Sequence, residues 1–196
     1  MIRAHPLATL VTHGASGLVA NLVPFTLVTT EGERDVLRAH LAKANEQLKD
    51  LRAGAEALVI FQGPQAYISP SWYPTKQEHG QVVPTWNYVV VQAWGQPQVQ
   101  DSAGWLLAQI NDLTRQQEQS RDAPWAVDDA PASFIAGQIK GITGVEIPID
   151  RIEGKWKVSQ NQPVANRAGV TAGLRASDPD SSMAALVERH HIGPPT

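Results

Sequence analysis

The sequence contains no cysteine, which excludes disulfides, thiolate metal sites, cysteine nucleophiles and iron–sulfur clusters. No apolar run approaches the about 18 residues that a membrane-spanning helix needs, and residues 1–6 lack a signal-peptide pattern. Sixteen basic and nineteen acidic residues leave a net charge of −3, so the overall charge gives no reason to expect nucleic-acid binding. Since 42% of the 196 residues are hydrophobic, we expect a globular cytoplasmic protein with no membrane association.

The familiar catalytic and phosphate-binding motifs are also absent. The sequence has no glycine-rich dinucleotide fingerprint and no P-loop. Gly14-Ala15-Ser16-Gly17 does not have the spacing of a nucleophile elbow. The six histidines form no metal-binding helix pair, and His190-His191 falls in a tail that we expect to be flexible. Because the carboxylates are scattered rather than paired, a hydrolase is not supported, and we expect neither a metal site nor a catalytic residue set.

Short β-rich runs dominate the first hundred residues. Residues 7–12 and 18–29 predict a hairpin with a five-residue connection, in which Pro24 marks an edge, a bulge or a strand end. Further strands are predicted over 57–62, 65–69, 86–95, 143–149 and 155–159, with Gly63-Pro64 as a turn between the first two.

Helical patterns are fewer than strand patterns. A leucine stripe from Leu37 to Leu51 predicts one helix. Caps at Asp101 or Ser102 and at Asp180 or Ser181 predict two more, and 132–138 a short fourth. Since helices and strands do not alternate strictly, we expect a mostly antiparallel, mainly β barrel with peripheral helices rather than a doubly wound parallel sheet.

Four segments are polar where their surroundings are apolar, and each allows a structural and a functional interpretation. Segment 21–25 is either an edge strand or a backbone that is free to pair with a ligand. Segment 38–45 is either a solvated helix face or a phosphate site at a helix start. The aromatic stretches 66–76 and 83–88 form either a structural cluster or a ligand or subunit surface. Segment 153–161 is either a half-exposed strand or a cationic face.

Taken together, these segments resemble the PaiB family of FMN-binding negative transcriptional regulators. The resemblance rests on Pro6 to Val11, Asn21 to Phe25, His40 to Asn45, Phe61 to Pro64, Ala66 to Tyr73, Val83 to Tyr88 and Gly154 to Asn161. It covers nearly the whole chain in order. Two departures are the lack of a further short N-terminal helical segment that such proteins usually carry, and Lys43 where arginine is common, which keeps the charge but loses its bidentate fork.

The resemblance implies a split β-barrel of the pyridoxamine-phosphate-oxidase type, a homodimer, and FMN near the subunit interface. In that fold 35–41 is a strand and only the chain from about Lys43 onward is helical, which places a helix start beside a cation. We therefore expect the FMN phosphate at His40–Asn45, with Lys155 and Lys157 as the competing position. The isoalloxazine is expected against 21–25, stacked on Trp86 or Tyr73.

The predicted cofactor-binding residues are polar, cationic and aromatic side chains of these segments. They are Asn21, Val23, Pro24, Phe25, His40, Lys43, Asn45, Ser69, Ser71, Tyr73, Lys76, Trp86, Asn87, Lys155, Lys157, Ser159 and Gln160. A rigid apolar area at Trp72, Tyr73, Trp86 and Tyr88 supports the homodimer. Residues 1–160 are predicted to form the FMN-binding domain, and 161–196 an extension with one helix and a flexible tail.

Three functions remain open at this point. The first is an FMN-binding negative transcriptional regulator, the second is an FMN-dependent oxidoreductase acting on a small molecule, and the third is a cofactor-free dimeric interaction protein. Direct DNA binding is part of the description implied by the resemblance. The charge pattern does not support it, because the helix after Ser102 mixes Arg115 and Arg121 with Asp112, Glu118 and Asp122.

Overall fold

A computed structural model describes residues 1–15, 17–29 and 31–190. The strands are β1 (Leu7–Gly14), β2 (Gly17–Pro24), β3 (Thr26–Val28), β4 (Val36–Ala42), β5 (Ala57–Ile68), β6 (Thr85–Gly95), β7 (Gln98–Gln100), β8 (Ile142–Pro148) and β9 (Arg151–Lys157). The helices are α1 (Gln47–Arg52), α2 (Thr75–His79), α3 (Ala103–Glu118), α4 (Ala132–Ile139), α5 (Val164–Ser177) and α6 (Ser182–Arg189). None of these helices is long and apolar enough to cross a membrane.

The strands form a five-stranded sheet of order β2-β1-β5-β6-β9 and a four-stranded sheet of order β3-β4-β8-β7. β1 and β2 form the predicted antiparallel hairpin, and Gly14 pairs with Gly17. The connection is therefore two residues long rather than five. Gly17 has a φ of 93°, which a residue without a Cβ adopts at little cost, so the tight turn is compatible with the sequence.

The leucine stripe is divided between a strand and a helix. Leu37 and Leu41 are buried on β4, and only Leu48 and Leu51 lie on α1. A spacing of four residues fits the two-residue period of a strand as well as a helical turn, so the stripe alone does not separate the two. The strand at 35–41 is confirmed. The helix start at Lys43 is wrong, because Lys43 lies in a turn and α1 begins at Gln47.

The predicted turn at Gly63-Pro64 is also wrong, because β5 runs through it without a break. Proline has a φ that is compatible with extended structure, and it removes only its own N–H from a ladder. A Gly-Pro pair therefore does not by itself end a strand.

The C-terminal region contains two helices rather than one. α6 begins after Ser181, whose side chain accepts a hydrogen bond from the Ala184 N–H, as the cap prediction requires. α5 was not predicted, because Gly169 and Gly173 weaken its helical pattern. His191 and the rest of the predicted flexible tail lie outside the described residues, and the domain boundary at residue 160 stays a prediction.

The chain divides into two compact units. Unit 1 comprises 1–61 and 91–153, and unit 2 comprises 62–90 and 154–190 of the described residues. In unit 1, Phe25 and Phe61 pack edge to face with ring centroids 6.1 Å apart, and β1, β4 and β8 also carry buried side chains. In unit 2, Ile68, Val158 and Val170 are completely buried. α3, capped by Ser102, and α4 confirm two of the predicted helices of unit 1.

Candidate functional site

A cavity of about 420 Å³ lies within unit 2. Its walls come from two stretches of chain, 73–87 and 157–166. The lining residues are Tyr73, Thr75, His79, Gln81, Val82, Val83, Thr85, Asn87, Lys157, Ser159, Asn161, Gln162, Pro163 and Asn166. Four of the predicted site residues meet here, namely Tyr73, Asn87, Lys157 and Ser159. The volume lies within the ~300–1,000 Å³ typical of small-molecule sites.

Asn87 is the most deeply buried polar group of this cavity. Its side chain extends from β6 and is only 1% exposed. Nδ2 donates to Ser159 Oγ over 2.9 Å, whereas Oδ1 has no hydrogen-bond partner among the described residues. A buried acceptor without a partner costs about 1–3 kcal/mol. A ligand with a donor group at this position would remove that cost.

Ser159 is held in a conformation that few side-chain-bearing residues adopt. Its φ is 59°, the only positive value at a non-glycine residue among those the structure describes. Such left-handed backbone costs roughly 1–2 kcal/mol for a residue with a Cβ. This conformation occurs just after β9, where the Ser159 hydroxyl accepts the hydrogen bond from Asn87. Strained residues of this kind are concentrated at functional sites.

Lys157 supplies the cation of the cavity. It is half-buried at the end of β9, and its Nζ donates to Thr85 Oγ1 over 2.6 Å. No carboxylate lies within 4.0 Å of this ammonium group among residues 1–15, 17–29 and 31–190. A partly desolvated ammonium group without a counter-ion favours an anionic ligand group.

Tyr73 contributes a phenol that stays protonated. It is 5% exposed, and burial raises the pKa of its hydroxyl above the usual 10.0. The residue follows a 3₁₀ turn, Pro70–Trp72, that begins where Ser69 Oγ accepts the Ser71 N–H. The turn and its proline fix the segment that presents Tyr73 to the cavity.

The other predicted residues of unit 2 do not line the cavity; they are Ser69, Ser71, Lys76, Trp86, Lys155 and Gln160. Trp86 is 47% exposed, donates from Nε1 to Gln65 Oε1 over 2.6 Å and packs edge to face on Tyr67. Lys155 Nζ lies 5.6 Å from the centre of the Tyr88 ring. Gln160 bonds to the backbone at Trp156 and Val158 and so closes the turn after β9.

The predicted residues of unit 1 do not line this cavity. Asn21 donates to Gln47 Oε1 over 3.0 Å and thereby joins β2 to α1. His40 Nδ1 lies 2.7 Å from Gln109 Oε1 of α3, and Asn45 Oδ1 accepts the Gln47 N–H. Lys43 is exposed. Pro24 ends β2, and its neighbours Val23 and Phe25 are buried, the latter completely.

Sequence reasoning missed several lining residues, above all Thr75, Thr85 and Asn166. Thr75 and Thr85 belong to segments that were singled out, but their hydroxyls were not chosen. Asn166 is 3% exposed and lies on α5. Because that helix was not predicted, nothing marked the residue. The spacing of Asn166, Gly169 and Gly173 by three and four residues, which is that of one helix face, is the sequence signal that could have identified it.

A larger cavity of about 1040 Å³ lies in unit 1 between α3, α4 and the loop that joins them. It contains none of the predicted residues and no buried polar atom that lacks a partner. It therefore does not carry the candidate site. Among the described residues, no group of histidine, aspartate and glutamate could hold a metal ion.

The chain is similar in sequence to proteins of one family. The family model described as "Putative FMN-binding domain" matches residues 1–151. An uncharacterised protein of Emericella nidulans is 36% identical over 209 residues, covering 89% of this chain and 83% of that protein. The protease synthase and sporulation protein PAI 2 of Bacillus subtilis is 31% identical over 154 residues, covering 78% of this chain and 72% of that protein.

A solved structure with the same fold is the FAD and heme binding protein of Mycobacterium smegmatis. The TM-score is 0.57 at 18% identity, covering 80% of this chain and 67% of that chain. At this identity the likeness shows the fold alone. The expected split β-barrel with peripheral helices is confirmed.

Proposed function

The chain belongs to the PaiB family, whose domain is described as FMN-binding, and on this premise we propose that it binds FMN in the cavity around Asn87 as a dimeric regulatory flavoprotein. The observation that carries the proposal is the buried Asn87 Oδ1, which has no partner among the described residues. FMN offers donors for it, both the N3–H of the ring system and the hydroxyls of the ribityl chain.

The remaining groups of the cavity suit the same ligand. Hydroxyls and amides from Thr85, Ser159, Asn161 and Gln162 complement a polyol chain, and Lys157 is a single cation for a single phosphate. The buried, protonated Tyr73 hydroxyl adds a donor. When bound, FMN would supply reversible redox chemistry. The chain's own residues bind and orient it and exclude water from one side.

The expected position of the FMN phosphate changes with the observed fold. The sequence favoured His40–Asn45, because a helix start at Lys43 would supply free N–H groups. α1 begins at Gln47 and has only six residues, so that argument no longer applies. Lys157, half-buried and without a carboxylate partner in the described chain, is therefore our first choice. Lys43 and Lys155 remain the alternatives.

We place the dimer contact on one face of the β1–β2 hairpin. The register puts Thr9 opposite Leu22 and Val11 opposite Ala20 on that face, where Leu18 and Leu22 are 76% and 68% exposed. Neither strand carries Asp, Glu, Lys or Arg, although β2 is the edge of its sheet. Edge strands of monomers are usually protected by charged side chains. Because these strands carry none, we propose that a second copy of the chain packs on this apolar face.

A regulatory role without direct DNA contact by α3 agrees best with the charges. On α3, Arg115 pairs with Asp112, and Arg121, which lies beyond the end of the helix, pairs with Glu118, both within 3.4 Å. The helix therefore carries no basic stripe. An absorbance spectrum of the purified full chain, before and after addition of FMN, tests the proposal. A bound flavin spectrum is expected, and a protein that never retains FMN would overturn it. FMN-dependent oxidation of NAD(P)H by the loaded protein would identify an oxidoreductase instead.

A further inference from the structure

α5 presents one face to the segment that carries Tyr73. Asn166, Gly169 and Gly173 are spaced three and four residues apart, so they lie on the same side of the helix. All three meet residues between Trp72 and Thr75. The helix belongs to unit 2, as the segment does, and it lies beyond the residues that the family model matches.

The two glycines let the helix backbone approach Trp72 closely. A Cβ added at Gly173 would lie 2.3 Å from the indole ring, and one at Gly169 would lie 1.9 Å from the Trp72 carbonyl oxygen. Both distances are far below a van der Waals contact, so only glycine fits at either position without movement of the chain. These close contacts fix the position of Trp72, and of Tyr73 next to it, relative to α5.

Asn166 adds a directional contact at the other end of this segment. Its Oδ1 accepts hydrogen bonds from Thr75 Oγ1 over 3.1 Å and from the Thr75 N–H over 3.4 Å. Its Nδ2 donates to Gln162 Oε1 over 3.1 Å. Asn166, Thr75 and Gln162 all line the cavity. One buried amide therefore joins its two walls, the segment after Trp72 and the chain after β9.

We propose that Asn166 is a positioning residue of the flavin site, and that α5 is the fixed wall against which Tyr73 and Thr75 are held. The inference rests on the proposed function, because the ligand it positions is FMN. It extends that function to α5, which becomes part of the binding site rather than of an appendage. The atoms that matter are Asn166 Oδ1 and the Thr75 hydroxyl, neither of which has to touch the flavin.

The test compares two substitutions of Asn166 in the full chain. Asn166→Leu removes both contacts to Thr75, and we expect the Kd for FMN to rise about tenfold. Asn166→Asp keeps an acceptor for both Thr75 contacts but loses the donor to Gln162 and adds a buried negative charge, so its Kd is expected to lie between those of the wild type and Asn166→Leu. FMN fluorescence quenching gives the Kd, and the visible circular dichroism of bound FMN reports whether its surroundings change. A Leu variant with the wild-type Kd and spectrum would overturn the inference.

A second variant keeps the test decisive if Asn166→Leu fails to fold. Thr75→Val removes the hydroxyl that donates to Asn166 Oδ1, with little change in the shape of the side chain. It is expected to weaken FMN binding, as Asn166→Leu does. Normal binding by a folded Thr75→Val variant would contradict the inference. Asn87→Leu separates this inference from the proposed function. If Asn87→Leu binds FMN as the wild type does, the site itself is misplaced; if only the Asn166 and Thr75 variants bind normally, α5 has no positioning role.

Discussion

Asn87 and Ser159, 72 residues apart in the sequence, meet in the interior of unit 2, where Asn87 Nδ2 donates to Ser159 Oγ over 2.9 Å. The same carboxamide leaves its oxygen without a partner among the described residues. The amide nitrogen thus has a partner within the fold, whereas the buried amide oxygen has none.

Replacing Asn87 by leucine removes both polar groups of this side chain. Removal of the buried acceptor that has no partner offsets the lost hydrogen bond to Ser159, so we expect Asn87→Leu to retain a folded, cooperative unfolding transition. We expect its Kd for FMN to rise by at least about tenfold, which corresponds to ~1.4 kcal/mol. Isothermal titration with FMN and thermal unfolding measure the two effects. Asn111→Leu, at a half-buried position on α3 in unit 1, is the control outside the cavity, and equal losses in both variants would argue against the site.

Charge reversal at three lysines locates the phosphate. We expect Lys157→Glu to weaken FMN binding more than tenfold, because an anion would then face the phosphate. Lys43→Glu and Lys155→Glu are expected to change it less. Riboflavin, which lacks the phosphate, should bind all three variants nearly alike. If Lys43→Glu alone loses FMN and still binds riboflavin, the phosphate lies at His40–Asn45, as the resemblance first suggested.

A charge on the outer face of β2 is expected to break the dimer. Leu22→Arg places a guanidinium group in the proposed apolar contact, where it would be desolvated without a partner. Sedimentation at micromolar concentration should give the mass of one 196-residue chain for this variant and twice that mass for the wild type. Phe134→Arg, at another exposed apolar position, should remain dimeric. A monomeric wild type would refute the dimer directly.

The raised pKa of Tyr73 predicts how stability changes in alkali. Burial disfavours the phenolate in the folded protein, so the folded state holds its proton at a pH where the unfolded chain has released it. The contribution of the Tyr73 proton to stability is therefore fully present below the unfolded pKa of 10.0. It is lost as the pH rises from that value through the higher pKa of the folded protein. Denaturant unfolding between about pH 9 and about pH 11 should show a smaller loss for Tyr73→Phe than for the wild type. Parallel losses in the two proteins would mean that Tyr73 ionises freely.

Trp86 gives an optical test of where the ring system lies. If the isoalloxazine stacks on Trp86, saturation with FMN should quench tryptophan emission strongly, and Trp86→Phe should remove a large share of that quenching. Trp86 is outside the cavity, so full quenching in the Trp86→Phe variant would place the ring elsewhere, with Tyr73 as the next candidate. Unchanged emission on saturation would leave the flavin site without support.

Patterns that depend on neighbours in sequence predicted most of the fold. The hairpin, the strand at β6 and the caps at Ser102 and Ser181 depend on residues a few positions apart, and each is confirmed. The errors arise where one pattern satisfies two structures. Leu37 and Leu41 fit a helix and a strand equally, and Gly63-Pro64 is compatible with both a turn and an extended chain.

The cavity could be predicted only in part, for a different reason. Asn87 and Ser159 lie in recognisable segments, but Asn166 lies on α5, whose two glycines weaken the helical pattern. The reason for these glycines is their close contact with Trp72, which only the structure shows. A contact between residues about a hundred positions apart leaves no periodic trace in the chain, so local reasoning does not recover it.

The backbone of Ser159 has a consequence for anyone who engineers this protein. Ser159→Gly would relieve roughly 1–2 kcal/mol of left-handed strain and delete the hydroxyl that receives Asn87. The unpaired Asn87 Nδ2 donor would cost about 1–3 kcal/mol and so offset the relieved strain, which leaves the melting temperature nearly unchanged while the cavity loses a hydroxyl. A library screened only for melting temperature would therefore not select against a substitution that alters the binding site.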